Sequence, residues 1–490
     1  MNKYSWTPTI STFKICALLL ALLALLVYYL CFYVSGVLPE DLQQEGVNLL
    51  CWVGILELWF ILSSWRKLTG RWVSLYGVFI VFYFLFNFGQ CLGWAFGIHS
   101  DGELGTRPLY YRLGFPTSID LLRTQLIVLL GGFLIHVGAL LTRSRRQAVA
   151  PAPDLPVSNQ AQYLYQFCKI LLPLAVICRF YMLLVDSKNA HTYGYTALYY
   201  DASVQHVNVI VAILARQFFP AIIGLLIGCQ FKKHIRLAYV LIIINVLLGL
   251  SVGDRGGWIY FTLIFLVLLH YYYKPFNFWK IMMGLVAGYG MMSVLVAVRM
   301  IRDQGVTFAK LIEAFTEASI NPLGDSLREI GGTMGITTVL VMEGYDIFPY
   351  GNTFLYGLLT APSTDLISIL NLNYQKLSGW FSQTYLGISN GAAFSIIGEM
   401  VLNFGPYFFP PFMLLFGLFI GFITKIEPRD LRTEPLAIAL CTITTGVMIN
   451  ISRNAFQSNM GEIFYTTLLF WVGYKCYSLV RPLSNRKREK

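Results

Sequence analysis

The chain has 490 residues, of which 56% are hydrophobic and only 12% charged. That balance excludes a soluble enzyme, and apolar stretches of about 18 or more residues recur along nearly the whole length. The net charge of +11 would suggest nucleic acid in a soluble protein; in a chain this apolar it reads first as loop lysines and arginines that set membrane topology.

Hydropathy gives about twelve spans. In chain order they are 15–34, 47–64, 72–97, 120–141, 168–185, 208–229, 237–252, 258–273, 281–298, 407–424, 435–451 and 463–480. An all-α polytopic membrane protein is therefore expected; the segments are too long, and their alternation too weak, for a β-barrel. The first run exceeds the apolar core of a cleavable signal peptide and reads as a spanning helix. All nine cysteines lie in or beside apolar runs. None has metal-ligand spacing, so neither a disulfide framework nor a zinc site is expected.

Charge orients the spans. One alternating set of loops holds "RKLTGR" at 66–71, "TRSRR" at 142–146, "KKHIR" at 232–236, Lys274 with Lys280, "KIEPRDLR" at 425–432 and the tail "RPLSNRKREK". Lys3 and Lys14 precede the first span on the same side. By the positive-inside rule that side is cytoplasmic, and an even number of spans puts both termini there. The Pro/Ala-rich 148–160 reads as a linker in one of these loops.

The opposite face is rich in Tyr, Gly and small polar residues at 99–118 and 186–207. Residues 1–298 thus form the first nine spans, 299–406 a large external region, and 407–490 the last three spans and a basic tail. The external region is not polar throughout. "FAKLIEAFTEASI" is amphipathic, with Phe308, Leu311, Ile312 and Phe315 on one helical face. "ITTVLVMEGYDIF" and "FLYGLLTAPSTDLISIL" are apolar but short, and suit re-entrant or membrane-skimming pieces that roof a cavity.

That outer side carries arginines the topology rule disfavours. Arg255 stands in the tight turn "GDRGG" at 253–257. Arg216 lies a few residues inside span 6, Arg299 and Arg302 close span 9, Arg328 is in the large region, and Arg453 begins the last external turn. Arg179 is inside span 5. Arginine within a span is costly, and guanidinium is the group for bidentate phosphate binding. The plainer alternative is that each arginine pairs with a local acid such as Asp254, Asp303 or Glu329. Taken as a set, they point to a membrane-level pocket for a multiply charged phosphate ligand. Most of the aromatics are belt residues, but "YYRLGF", "HTYGYTALYY" and "GWFSQTYLG" crowd the external loops, where rings with polar tips also suit sugars.

No Walker motif, metal-chelating carboxylate pair, HExxH or nucleophile elbow is present. An enzyme on the outer face would need a donor already activated, such as a lipid-linked diphosphate sugar. Arginines could stabilise its leaving group with no metal and no cofactor.

Three local pieces carry a resemblance: "GDRGG", "SIIGEMVLNFGP" at 395–406, which leads into the span after the large region, and "SRNAFQS" at 452–458 before the last span. With the topology, they make the chain resemble bacterial polysaccharide repeat-unit polymerases of the Wzy type. These build O-antigen, capsule, exopolysaccharide or enterobacterial common antigen. The resemblance implies transfer of a growing glycan from undecaprenyl diphosphate onto a lipid-linked repeat unit, at the outer face of the bacterial cytoplasmic membrane. A flippase and a chain-length regulator are possible partners; nucleic acid is not. Carried onto this chain, it nominates Arg255, Arg453, Glu399, Asn403 and Gly405. Arg216, Arg299, Arg302, Arg328 and Asp254 join them by location. Glu399 is the first choice of general base, with Asp254, Glu329, Glu343 and His206 as alternatives. Glu399 could instead be a structural partner of an arginine. Glu399 and Asn403 are four apart, hence on one face of a helix that Gly405 and Pro406 would end. An O-antigen ligase, or a flippase or transporter of lipid-linked oligosaccharide, are the rival readings.

Overall fold

The computed structural model of the chain describes residues 10–143, 158–195, 197–200, 204, 207–254, 256–301, 306–317, 322–363, 365–388, 392, 394–425 and 430–480. Among these residues there are helices and turns but no β-strand. The chain opens with α1 (Ile10–Ser35), α2 (Glu40–Thr69), α3 (Leu75–Trp94), α4 (Ser118–Leu141) and α5 (Asn159–Tyr193). A one-turn α6 (Ala197–Tyr200) follows. Next, α7 (Val209–Arg216) and α8 (Phe218–Gly228) make one span broken at Gln217. Then come α9 (Ile235–Val252), α10 (Gly257–Tyr272) and α11 (Phe278–Ile301).

The large region contributes α12 (Phe308–Glu317), α13 (Pro322–Ile330), α14 (Met334–Glu343), α15 (Thr353–Leu359) and two single turns, α16 (Leu366–Ile369) and α17 (Leu377–Gly379). The chain closes with α18 (Ile396–Ile423), the short α19 (Asp430–Thr433), α20 (Pro435–Asn450), α21 (Phe456–Ile463) and α22 (Leu469–Val480). A π-helical turn, Phe464–Leu468, joins the last two.

Among the described residues, eight helical segments are long and apolar enough to cross a membrane. The expected spans at 258–273 and 435–451 correspond to α10 and α20, of 16 residues each. At 1.5 Å per residue each is about 24 Å long, short of a hydrocarbon core of about 30 Å. Hydropathy cannot separate lipid contact from burial, and α20 is apolar because it is buried in the bundle along most of its length. The expected spans 281–298 and 463–480 fall on α11, a helix of 24 residues with several side chains outside the description, and on the π turn with α22. A second departure is at 186–193. These residues were expected in an external loop but continue α5, which runs for 35 residues alongside α7, α8 and α9.

The packing centre is the α4–α18 pair. Its backbones meet because glycines face each other. A Cβ added at Gly138 would lie 2.4 Å from the Leu414 carbonyl oxygen, and one at Gly417 would lie 2.5 Å from that of Ile135. Small residues spaced four apart let helices approach this closely in lipid, where dispersion replaces the hydrophobic drive. Around this pair, α1 and α2 pack on α4, and α20 on α18.

The large region folds onto the bundle. α13 lies on α3 and α11, α14 packs among α3, α4 and α18, and α15 lies on α21. Met334–Leu340 of α14 are all buried, which explains why this short stretch is so apolar. α18 begins at Ile396, inside that region as drawn from sequence, and Gly405 interrupts it with φ 69° and ψ 173°. That left-handed φ favours glycine, and Pro406 restarts the helix after the break.

Gly417→Val should therefore force α18 away from α4. The expected cost is about 1–3 kcal/mol, read as a lower melting temperature and a lower monodisperse yield in detergent. An unchanged melting temperature would show that the two backbones are not in contact.

Candidate functional site

One end of the bundle gathers the C-terminal ends of α3, α5, α9 and α20 and the N-terminal ends of α10, α18 and α21. The turn between α9 and α10 is built by its acid. Asp254 Oδ1 accepts from the backbone N–H of Gly256 at 3.0 Å and of Gly257 at 3.4 Å, and its carbonyl accepts from Trp258 Nε1 at 3.1 Å. The Asp254 side chain thus closes the turn that leads into α10. Arg255, between them, lies outside the described residues, as do Arg302 and His206. Arg299 belongs to α11, with its side chain outside the description as well.

The next turn packs on this one. Arg453 follows α20, and a Cβ at Gly256 would stand 3.4 Å from its Nη1 and 3.7 Å from the Tyr260 hydroxyl. The guanidinium donates to that hydroxyl and lies over the Phe86 ring, 5.5 Å from its centroid. Burial disfavours its charge, but Tyr260, Glu329 and Asp254 more than offset this, so its pKa ends above the usual arginine value.

Three residues on, the backbone N–H of Phe456 donates to Glu399 Oε2 at 2.7 Å. Glu399 Oε1 accepts from the Thr353 hydroxyl at 2.5 Å, and Asn403 completes the network. Asn403 Nδ2 donates to the Glu399 carbonyl at 2.7 Å and to Thr353 Oγ1 at 2.8 Å, while its Oδ1 accepts from the Thr353 N–H at 2.9 Å. Glu399 and Asn403 do share a helix face. Nearby, Ile396 N–H donates to the Ile451 carbonyl at 3.0 Å, and Asn87 Nδ2 donates to that of Ser452 at 3.0 Å. The stretches "GDRGG", "SIIGEMVLNFGP" and "SRNAFQS", far apart in sequence, thus meet in space. Glu399 is 1% exposed with both oxygens occupied, so its geometry is that of a clamp joining α18, α15 and α21.

Further cations face the same end. Arg179 Nε donates to Asn245 Oδ1 at 2.9 Å, with Asp254, Glu462 and Asp186 in electrostatic reach. Arg216, at the α7–α8 break, lies over the Tyr465 ring at 4.7 Å, and its Nε is 3.6 Å from Glu462 Oε2. The break is held from across the gap. The π turn frees the Tyr465 carbonyl, which accepts from Gln217 Nε2 at 2.5 Å. Lys376 reaches toward Arg216 from the segment before α17. It is open to solvent, yet burial, and then repulsion from Arg216, lower its pKa. A side chain both accessible and surrounded by protein lies on a concave wall.

Two nominated residues stand differently. Arg328 Nε is 3.9 Å from Asp325 Oδ1, and its carbonyl accepts from Gln90 Nε2 at 3.1 Å. It matches the expectation of an arginine beside a local acid. Glu343 ends α14 and is exposed. Sequence reasoning missed Thr353, Tyr260, Lys376 and Glu462. Glu462 had a readable signal, an acid at the rim of an apolar span on the same segment as Arg453.

A family model described as O-antigen polysaccharide polymerase Wzy matches residues 13–475. The chain belongs to this family and is a multi-pass membrane protein. No curated protein and no solved structure matches it.

Thr353→Val should leave one Glu399 oxygen buried without a donor, costing about 1–3 kcal/mol. The expected readout is faster amide exchange in α15 and the start of α21 than in α4. Equal exchange in wild type and variant would remove the clamp role.

Proposed function

We propose that this member of the Wzy family extends a polysaccharide at the outer face of the cytoplasmic membrane, transferring a growing glycan from undecaprenyl diphosphate onto a lipid-linked repeat unit. The observation that carries the reading is the gathering of Arg179, Arg216, Lys376 and Arg453 at one end of the bundle, from segments distant in sequence. By the positive-inside rule that end faces outward. These basic residues face four acids, Asp186, Asp254, Glu329 and Glu462, so what favours a multiply charged anion is the convergence of guanidinium forks on one place rather than a surplus of charge.

In this reading a hydroxyl of the acceptor's non-reducing sugar attacks the donor's anomeric carbon. The bond to the diphosphate breaks, and the lipid diphosphate leaves with the electron pair. Arg453, beside the turn that carries Arg255, meets that developing charge, while Arg216, Arg179 and Lys376 supply the surrounding positive field. Fixed guanidinium groups do the work a divalent ion does elsewhere. Glu399 and Asn403 position Arg453 by holding the start of α21 and do not contact the sugar.

A deletion strain distinguishes the readings. Glycans carrying a single repeat support a polymerase. Full-length chains left on the lipid carrier indicate a ligase, and loss of outward-facing lipid-linked units a flippase.

Arg453→Ala should lower chain extension by about 10²–10³-fold at near-normal protein abundance. Arg453→Lys should recover part of it, because a point charge does not reproduce the guanidinium fork. Both are scored from glycan ladders in the complemented deletion strain, and full ladders from Arg453→Ala count against the assignment. Extension by purified protein should also persist in EDTA. Loss in EDTA that magnesium or manganese restores counts against the arginine mechanism.

A further inference from the structure

We infer that Glu462 accepts the proton of the attacking sugar hydroxyl. The inference rests on the polymerase reading above and assigns its general base. The other described carboxylates that face these arginines or the turns beside them are committed. Both Glu399 oxygens are taken and the residue is buried. Asp254 is spent on the Gly256 and Gly257 N–H groups. Asp325 takes the Ser100 hydroxyl and lies beside Arg328, and Glu329 and Asp186 have partners of their own.

Glu462 differs in access and geometry. Its side chain is 37% exposed, although Arg179 of α5 and Arg216 of α7 face it across the bundle. It therefore lines an opening between helices. At 3.6 Å the Arg216 Nε lies beyond hydrogen-bond distance, so that contact leaves the Glu462 oxygens free to accept from a ligand. Arg216 itself is held over Tyr465, whose position follows from the π turn that begins just after Ile463. Such turns concentrate at functional sites because they redirect side chains without ending the helix. One helix also links the base to the clamp. From Phe456, bound to Glu399, to Glu462 is about 9 Å along α21.

The step balances. The acceptor oxygen forms a bond to the donor's anomeric carbon as the carbon–oxygen bond to the diphosphate breaks. The hydroxyl proton goes to a Glu462 oxygen and then to water. The electron pair leaves with the diphosphate, whose charge Arg453 and Arg216 face.

The experiment uses full-length protein in nanodiscs. Its substrate is the diphosphate-linked repeat unit that accumulates in a strain lacking this chain. Glu462→Gln should slow extension by about 10²–10⁴-fold while binding undecaprenyl diphosphate as wild type does. Formate or azide should restore part of the extension in Glu462→Gly. Glu462→Asp keeps the charge in case the neutral variants fold poorly, and should retain intermediate activity with an unchanged melting temperature. Extension by Glu462→Gln within about threefold of wild type overturns the inference. So does loss of carrier binding in Glu462→Gln to the level of Arg216→Gln with no rescue by formate, since Glu462 would then only hold Arg216 in place. If wild-type protein cannot extend these units at all, the polymerase reading itself falls and takes the inference with it.

Discussion

The site depends on one buried carboxylate. Glu399 receives the Thr353 hydroxyl from the folded-back region and the Phe456 N–H from the start of α21, while its own helix packs on α4. A carboxylate so enclosed is tolerated only where donors take both oxygens. The requirement runs both ways, because Glu399 ties to α18 the α15–α21 pair, which is itself joined by Gln457 Nε2 donating to the hydroxyl of Thr360 just after α15 at 2.6 Å. Arg453 lies three residues before Phe456 and inherits that position.

The rigidity beneath comes from the glycine contacts between α4 and α18. Lipid offers apolar side chains little reason to leave it, so close backbone approach and internal hydrogen bonds carry the packing. On this base two breaks in helical geometry aim side chains. Gly405 lets α18 turn directly after Asn403, and the Gln217 break turns Arg216 toward Tyr465. The Gln217 break lies beside the gathered charges, and at the Gly405 break the Tyr28 hydroxyl donates to the Pro406 carbonyl at 2.9 Å, so that neighbouring groups satisfy what the irregular backbone frees.

The charge pattern has a consistent physical sense. Arginines at a membrane surface are costly when isolated and useful when their fields add on one anion. At Lys376 burial, and then the charge of Arg216, lower the pKa, which is the sense expected where two cations share one pocket. Arg328, beside Asp325, takes a more local role. Two arginines equally visible in sequence thus separate by whether a carboxylate stands one helical turn away.

Most of the architecture could be read from the chain itself. Helical class, the apolar segments, the break at Gly405 and the shared face of Glu399 and Asn403 follow from composition, period and local backbone preference, all properties of neighbouring residues. The three short motifs could be recognised, but nothing in their spacing said that they touch. Which apolar helices keep an exposed flank, and which are buried in the bundle like α20, depends on neighbours distant in sequence. The same holds for the site. Thr353, Tyr260, Lys376 and Glu462 carry no local signature as strong as an arginine inside a span, and nothing local shows that both Glu399 oxygens accept hydrogen bonds from other segments. Local sequence determined the elements and their polarity. Tertiary structure alone decided which charges meet, because electrostatic and hydrogen-bond partners are set by distance in space and not by distance along the chain.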